Sequence, residues 1–187
     1  DYLFNNAGIA VAALAHDLPW EDWQRTIDIN QMGVLYGTMA AYEVMRKQGS
    51  GHIVNVASMA GMFGHPTSLA YSMTKFAVVG LSKTLRSEAK GFGVNVSVVC
   101  PGAVETPIYD TSKSINVDSK KITKQLKPMM ITPERAAKET LAGVLKNKAV
   151  IITPKYLGYI YFLTHFFPSI IRKTHDNTIR GFYKAQK

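Results

Sequence analysis

The order of apolar segments along this chain predicts an α/β fold, a doubly wound parallel sheet with helices on both faces. Short β-branched runs alternate with longer segments of helical spacing, in the order strand, helix, strand, helix, strand, helix, strand. The strand segments are apolar almost throughout, which is typical of strands buried on both faces. The chain has 187 residues, 47% of them hydrophobic, so one domain with its own core is expected.

The first half of the chain supplies two strands and two helices. "DYLFNN" (1–6) is a short apolar run that ends in turn residues, and it predicts a buried strand. Residues 19–48 have helical spacing, with Pro19 suited to the first turn and "QGSG" as the stop. "HIVNVAS" (52–58) predicts the second strand, and the helical pattern of 69–90 ends at "GFG".

The second half continues this alternation with one interruption. "VNVSVVC" (94–100) and "AVIITP" (149–154) predict two more strands. Between them, residues 103–131 are polar, lysine-rich and poorly periodic, whereas 132–145 predicts a helix with a threonine N-cap and a proline in its first turn. An aromatic-rich tail begins at Tyr156.

The charge is distributed unevenly along the chain. The whole chain has 22 basic and 13 acidic residues, but residues 111–187 hold 15 of the basic and 4 of the acidic ones. A nucleic-acid or membrane surface could exploit such a field, although solvated lysines on exposed helices are the simpler explanation. We expect no nucleic-acid partner, because the chain lacks the aromatic–basic interleaving of a recognised binding fold.

The single cysteine indicates the redox state of the compartment in which the protein occurs. Cys100 cannot form an intramolecular disulfide, so a reducing, cytoplasmic compartment is the default. Because it lies in an apolar strand, we expect a buried and inert thiol. No group of histidines and cysteines has metal-ligand spacing, so no metal is expected.

Three loop segments each follow the carboxyl end of a predicted strand. They lie at 6–8, at Ser58 and at 101–106. The carboxyl ends of parallel strands meet at one edge of the sheet, which is where ligands bind in open α/β sheets. Tyr71 and Lys75 are one helical turn apart near the start of the helix that follows Ser58, so they should face this edge together.

These three side chains can carry out acid–base chemistry. A phenol with a pKa of about 10 is a poor catalyst at neutral pH. The Lys75 ammonium would favour the Tyr71 phenolate and lower its pKa, most effectively in a partly desolvated cleft. The Ser58 hydroxyl could hold a substrate oxygen in reach of the phenol. Such a set would move a proton to or from an oxygen while another group reacts at carbon.

Four motifs, taken together, carry a family resemblance. "NNAG", "NVAS", "YSMTK" and "PGAVETP" occur in order, each at the end of a strand or on the helix that follows one. In this the chain resembles the short-chain dehydrogenase/reductase family over nearly its whole length. The resemblance implies a Rossmann-like fold and an oxidoreductase that transfers hydride between NAD or NADP and a carbonyl or secondary alcohol.

The resemblance also implies a role for each matching residue. Tyr71 would be the acid–base residue, Lys75 would tune it and hold the cofactor ribose, and Ser58 would position the substrate oxygen. Asn30, in "IDIN", would hold a water that links the lysine to solvent. The residues expected to contact the cofactor are Asn6, Ala7, Gly8, Tyr71, Lys75, Pro101, Gly102, Val104 and Thr106.

Two of these residues also have simpler structural explanations. Asn30 could be a helix-interior amide that bonds its neighbours, and Thr106 could merely cap a helix. Both alternatives stay open from the sequence alone.

The chain departs from the family pattern in one respect. The glycine-rich phosphate loop, TGxxxGxG, does not occur in the 187 residues, so the resemblance implies that about a third of the domain lies upstream. The chain alone would then be inactive, and its first strand would expose an edge that favours aggregation. A non-catalytic fragment or pseudoenzyme acting as an interaction protein is the alternative function.

The family resemblance divides the chain into four segments. They are a cofactor and catalytic core (1–107), a substrate lid (108–131), a final helix and strand (132–155) and a basic, aromatic tail (156–187).

The residues after Ser58 bear on the substrate. Met59, Met62, Phe63 and Pro66 are apolar and adaptable, so they predict either a hydrophobic substrate wall or simply core. We expect a small hydrophobic carbonyl or alcohol that resembles a lipid, steroid or retinoid.

The tail, "YLGYIYFLTHFFPSIIRK", raises a separate question. Its apolar run over 156–167 is too short to span a bilayer, and Pro168 should break or kink the helix. Basic residues flank the run, which suits a helix lying on an anionic membrane surface. Alternatively, the tail packs over the substrate cleft or against another subunit, since the family resemblance implies a homo-oligomer.

Overall fold

A parallel sheet of four strands forms the centre of the computed structural model, which describes residues 1–185 apart from the side chains of Gln125 and His165. The strands are β1 (Tyr2–Asn5), β2 (Val11–Ala12), β3 (Gly51–Val56), β4 (Val94–Pro101), β5 (Lys113–Ser114) and β6 (Val150–Thr153). The order in the sheet is β1–β3–β4–β6, and every neighbouring pair is parallel. The predicted α/β fold with a parallel sheet is therefore confirmed.

The helices begin and end within two residues of the bounds that the sequence predicts, wherever a helix is predicted. They are α1 (Trp20–Ile27), α2 (Gly33–Gln48), α3 (Ala60–Phe63), α4 (Leu69–Ala89), α5 (Ile108–Thr111), α6 (Ser119–Leu126), α7 (Pro133–Leu145), α8 (Tyr156–Phe166) and α9 (Pro168–Ala185). A π-helical turn over Asp28–Met32 joins α1 to α2, and short 3₁₀ turns follow α4 and α6. The Thr132 side chain caps α7, as predicted, by accepting a hydrogen bond from the Arg135 N–H at 3.3 Å.

Helices cover both faces of the sheet because side chains alternate along each strand. Ile53 is fully buried on the face where Met45 of α2 and Leu85 of α4 pack. The next residue, Val54, is buried on the opposite face against Val144 of α7. Consecutive strand residues thus serve two separate layers of the core, which is the reason that the strands are apolar throughout.

The segment 108–131 contains more regular structure than its weak periodicity predicts. It folds into α5, β5, α6 and a 3₁₀ turn, and β5 pairs in parallel with β2. The Lys113 ammonium lies 2.6 Å from the carboxylate of Asp22, a buried residue of α1. This ion pair and the two-stranded sheet connect the segment 108–131 to α1 and β2 in the N-terminal part of the chain.

The tail forms two helices that meet at Pro168, the residue where the sequence predicts a break. On α8, Leu157 and Tyr161 pack against the central core, whereas on α9 Phe182 is buried against Val117. The tail therefore packs on its own domain along one side, although its last two residues lie outside the described part. Within residues 1–185, no helix is both long and apolar enough to cross a membrane.

β1 lies at one edge of the four-stranded sheet. Two of its apolar side chains are exposed, Tyr2 by 57% and Phe4 by 41%. An unpaired edge with apolar side chains favours association with other chains. The expected tendency of the chain to aggregate stays a prediction.

Candidate active site

The carboxyl ends of β3 and β4 bring Ser58 beside Pro101. Hydrogen bonding between the two segments continues beyond β3, with the Ala57 N–H donating to the Val99 carbonyl at 2.7 Å and the Met59 N–H to the Pro101 carbonyl at 2.8 Å. Two of the loops that the sequence predicts to converge are therefore held side by side by backbone hydrogen bonds.

α3 rests directly on α4 at the level of Lys75, and Gly61 makes this possible. A Cβ at Gly61 would lie only 2.6 Å from the Lys75 carbonyl oxygen, which is too close for any other residue type without a shift of the backbone. The Ser58 hydroxyl accepts a hydrogen bond from the Ala60 N–H at 3.1 Å, at the start of the same helix. Sequence reasoning missed Gly61, since its contact depends on the approach of two helices.

Lys75 is a buried ammonium group next to the Tyr71 ring. Its side chain is 3% exposed, and Nζ lies 5.5 Å from the centroid of the Tyr71 ring. Nζ donates a hydrogen bond of 2.9 Å to the carbonyl oxygen of Val56 at the end of β3. Burial lowers the pKa of Lys75 to about 8, because the charged form loses its hydration.

The pKa of Tyr71 differs from the sequence-based expectation. Burial raises it, and the nearby Tyr109 and Cys100 raise it further, whereas the Ser58 side chain, which hydrogen-bonds with the phenol, lowers it. The net direction is therefore opposite to the expected one, and the tuning of Tyr71 by Lys75 stays a prediction. Tyr71 is consequently a protonated phenol at neutral pH and a potential proton donor.

Asn30 is fully buried in the π-helical turn between α1 and α2. Its Oδ1 accepts a hydrogen bond from the Ile9 N–H at 2.8 Å, and its Nδ2 donates to the Ile9 carbonyl at 2.9 Å. Nδ2 also lies 3.4 Å from the Thr74 hydroxyl on α4. The amide thus pairs with a strand-end loop and with α4, so its partners are tertiary rather than on its own helix, and the structural explanation of Asn30 stays open. Its link to a water stays a prediction.

The loop after β1 approaches Lys75 closely. A Cβ on Gly8 would lie 3.5 Å from Lys75 Nζ and 3.2 Å from Asn30 Oδ1. Asn6 and Ala7 precede it and are exposed at the sheet edge. Of the predicted ribose-side residues, Gly8 therefore lies beside the buried ammonium, and the roles of Asn6 and Ala7 stay predictions.

Backbone and side-chain hydrogen bonds hold the loop after β4 in place. The Gly102 N–H donates to the Thr153 carbonyl at 2.7 Å, and a Cβ on Gly102 would overlap the Leu157 side chain of α8. Val104 bridges to Ile131, with the Glu105 N–H donating to the Ile131 carbonyl at 3.0 Å. The Thr106 hydroxyl donates to the Val104 carbonyl at 3.4 Å, and α5 has no side-chain cap, so the capping alternative for Thr106 is wrong.

Two further residues at the site were not assigned to it from the sequence. Tyr109 on α5 lies close enough to Tyr71 to raise the pKa of its phenol, and burial raises the pKa of Tyr109 as well. Cys100 is fully buried beneath the site, and burial raises its pKa to about 12, so the expected inert thiol is confirmed. Tyr109 falls in a segment without periodicity, so no local pattern marks it.

The apolar residues that follow Ser58 divide into two groups. Met59 is buried in the core, so its role is packing rather than contact with a substrate. Met62 and Phe63 are only partly buried, and the Phe63 ring lies 5.8 Å from the ring of Tyr161 on α8. The segment after Ser58 and the tail therefore form one apolar contact beside the site.

The chain resembles known oxidoreductases. A family model described as "short chain dehydrogenase" matches residues 1–116. A 3-oxoacyl-[acyl-carrier-protein] reductase of Synechocystis is 42% identical over 118 residues, 63% of this chain and 47% of that protein. A D-beta-hydroxybutyrate dehydrogenase of Rhizobium meliloti is 31% identical over 175 residues, 94% of this chain and 64% of that protein.

The fold likeness extends to solved structures. A short-chain dehydrogenase/reductase from Burkholderia phymatum, solved in complex with NAD, has 27% sequence identity and a TM-score of 0.77, covering 90% of this chain and 66% of the other. The chain spans about half the length of the curated relatives it matches.

Proposed function

The chain belongs to the short-chain dehydrogenase family, and from that premise we propose that its protein transfers hydride between a nicotinamide cofactor and a carbonyl or secondary alcohol. The observation that carries the proposal is the meeting of Ser58, Tyr71 and Lys75 at the carboxyl edge of the sheet, with the pKa values of Tyr71 and Lys75 both shifted by burial. Perturbed titratable groups in a cleft are typical of acid–base sites.

We assign the proton transfer to Tyr71. The phenol is protonated at neutral pH, as the ordinary pKa of tyrosine already requires, so it can donate a proton to a carbonyl oxygen as that carbon is reduced. The Ser58 hydroxyl interacts with the same phenol and would hold the substrate oxygen within its reach. In the oxidative direction, the phenolate would accept the proton of the alcohol.

NAD or NADP would supply or accept the hydride. The residues present fit the sugar of such a cofactor: the Lys75 ammonium has three N–H donors and uses one on the Val56 carbonyl, which leaves donors for ribose hydroxyls. Gly8 supports this fit, because its lack of a Cβ keeps the space between Asn30 and Lys75 free. We assign the nicotinamide end to Pro101, Gly102, Val104 and Thr106, and the ribose side to Asn6, Ala7 and Gly8.

We propose a hydrophobic substrate. The partly buried Met62 and Phe63, the Tyr161 ring of α8 and the Tyr109 phenol of α5 support this choice, because they surround the cleft with apolar surface. The segment 108–131 would act as the substrate lid, and its ties to α1 through Lys113 support a closed arrangement.

A substrate screen and one substitution test the proposal in the full natural protein that carries this chain. The screen compares aliphatic, steroid-like and retinoid-like ketones and alcohols with 3-hydroxybutyrate and a 3-oxoacyl thioester, following absorbance of the reduced cofactor. Tyr71→Phe should lower turnover by about 10²-fold or more, the usual scale for loss of a general acid. Tyr183→Phe, which removes an exposed phenolic hydroxyl from α9, is the matched control.

Two results would contradict different parts of the proposal. Turnover by Tyr71→Phe close to that of the parent would overturn the assignment of Tyr71. A clear preference for 3-hydroxybutyrate would overturn the hydrophobic substrate. A protein that binds nicotinamide cofactor but turns over no substrate in the screen would favour an interaction protein instead.

We further propose that the protein acts as a homo-oligomer in a reducing compartment. The unpaired Cys100 supports the compartment. Exposed apolar side chains on α2, namely Tyr36, Met39 and Val44, support contact with a second copy. Light scattering of the purified protein tests this, and a strictly monomeric mass would contradict it.

A further inference from the structure

α8 presents an unusual outer surface, which we call the aromatic face. The exposed part of this helix is made of large apolar side chains that cover less than half of its circumference. They are Tyr156, Tyr159, Ile160, Phe162, Leu163 and Phe166. Tyr159 is 76% exposed and Phe166 is 66% exposed, and the corner between α8 and α9 adds Phe167 and Ile170. No Asp, Glu, Lys or Arg occurs in Tyr156–Phe166.

Packing among residues 1–185, the described part of the chain, leaves the aromatic face uncovered. The opposite side of α8 already has its partners: Leu157 and Tyr161 join the central core, and Thr164 is buried. A helix packed along one side normally carries polar residues on the other. A contiguous exposed apolar surface of this kind marks a site of contact with another molecule or with a membrane.

The charges around the aromatic face favour an anionic partner. Residues 155–185 contain five basic residues, Lys155, Arg172, Lys173, Arg180 and Lys184, and one acidic residue, Asp176. All five basic side chains are exposed, and Lys155 directly precedes the aromatic face while Arg172 and Lys173 follow its corner. A second copy docked through the same face would bring two such basic surfaces together, which opposes that occupant.

The size of α8 fits a helix that lies flat. Its 11 residues extend about 16 Å, roughly half of the hydrocarbon thickness of a bilayer. Aromatic and aliphatic side chains on one face with basic residues at the flanks are characteristic of helices that lie in the membrane interface. Tyr side chains suit that position because one end of the ring is apolar and the other is polar.

We propose that the aromatic face of α8 docks the protein onto an anionic lipid surface, with Lys155, Arg172 and Lys173 contacting the headgroups. This interaction is independent of the proposed hydride transfer. The buried side of α8 packs against Phe63 beside the cleft, so docking would bring the apolar wall of the site close to the membrane surface.

Co-sedimentation of the full natural protein with lipid vesicles tests the proposal. The vesicles are phosphatidylcholine alone or phosphatidylcholine with roughly 30% phosphatidylserine. Tyr159→Glu/Phe162→Glu should reduce binding by about tenfold or more, because it puts charge into the apolar contact. Arg172→Gln/Lys173→Gln should reduce binding to the anionic vesicles by about 25-fold, since each basic residue near such a surface is worth about fivefold.

Leu145→Glu is the matched control. It adds the same charge at a 78% exposed apolar side chain of α7 and should leave lipid binding unchanged. Circular dichroism and thermal unfolding verify that each variant is folded. Failure of the folded parent to sediment with anionic vesicles would overturn the proposal, as would unchanged binding by Tyr159→Glu/Phe162→Glu. Loss of a dimer in that variant, without lipid binding by the parent, would identify a second copy as the occupant instead.

Discussion

Replacing Lys75 with methionine should make the protein more stable and less active. The ammonium is buried, and its pKa is lowered from 10.5 to about 8, so keeping the charge at neutral pH opposes folding. Methionine fills a similar volume with a flexible apolar side chain. Buried charges that serve a function commonly carry such a stability cost.

The expected gain follows from three contributions. The shift in the pKa of Lys75 corresponds to about 3 kcal/mol of unfavourable free energy for the charged form. Loss of the hydrogen bond to the Val56 carbonyl costs about 1 kcal/mol. Loss of the contact with the Tyr71 ring costs about 0.5–1 kcal/mol. The net gain is therefore about 1 kcal/mol, or roughly 2–4 °C in Tm for a chain of this size.

The gain should also depend on pH in a defined direction. Between the folded pKa of about 8 and the unfolded value of 10.5, the unfolded chain binds more protons at Lys75 than the folded chain does. The stability contributed by this group in the parent therefore rises with pH over that interval. The advantage of Lys75→Met should be largest below pH 8 and should disappear as the pH approaches 10.5.

Urea unfolding followed by tryptophan fluorescence measures these differences, because the chain has two tryptophans, Trp20 and Trp23. Lys83→Met, an exposed lysine on the same helix, is the control and should change stability by no more than about 0.5 kcal/mol. Nicotinamide binding and turnover should fall in Lys75→Met and should stay unchanged in Lys83→Met. A variant less stable than the parent at pH 7, or an advantage that does not shrink above pH 8, would refute the desolvation argument.

Two other expectations follow from the geometry of the site. Because Tyr71 stays protonated through neutral pH, kcat/KM for alcohol oxidation should increase as the pH becomes alkaline, and kcat/KM for carbonyl reduction should decrease only in that alkaline range. Measuring kcat/KM against pH in both directions checks this. An oxidation rate that falls with rising pH would contradict it. Gly61→Ala should destabilise the protein by about 1–3 kcal/mol and lower turnover, because the new Cβ meets the Lys75 carbonyl. Gly80→Ala, on α4, has open space and should be neutral or stabilising. Equal behaviour of the two variants in unfolding and turnover assays would count against the close approach of α3 to α4.

The sequence predicts much of the fold because its main elements are encoded locally. Apolar runs such as 94–100 and the helical spacing of 69–90 need no distant partner to be recognised. The pair Tyr71 and Lys75 is fixed by helical geometry, and the convergence of loops 6–8 and 101–106 follows from parallel strands ending at one edge. The break at Pro168 is equally local, since proline lacks the N–H that a continuing helix needs.

Other features depend on contacts between residues far apart in the chain. Hydrophobic periodicity cannot predict the pairing of strand 11–12 with strand 113–114, because each strand has only two residues and about 100 residues separate them. The hydrogen-bond partner of Asn30 is Ile9, which lies in a loop 21 residues earlier in the chain. Asn30 itself lies in a π-helical turn, which the amino-acid composition of the segment does not predict.

What the sequence by itself determines is therefore the order of elements, the parallel sheet and the identity of the reactive side chains at its edge. The tertiary structure decides how those side chains behave. The pKa of Tyr71 moves opposite to the sequence-based expectation because burial, Tyr109 and Cys100 outweigh Ser58. The orientation of α8 likewise decides that Tyr159, Phe162 and Phe166 face outward while Tyr161 packs against the core. Both outcomes depend on desolvation, which is set by how separate elements pack together and cannot be read from any one of them.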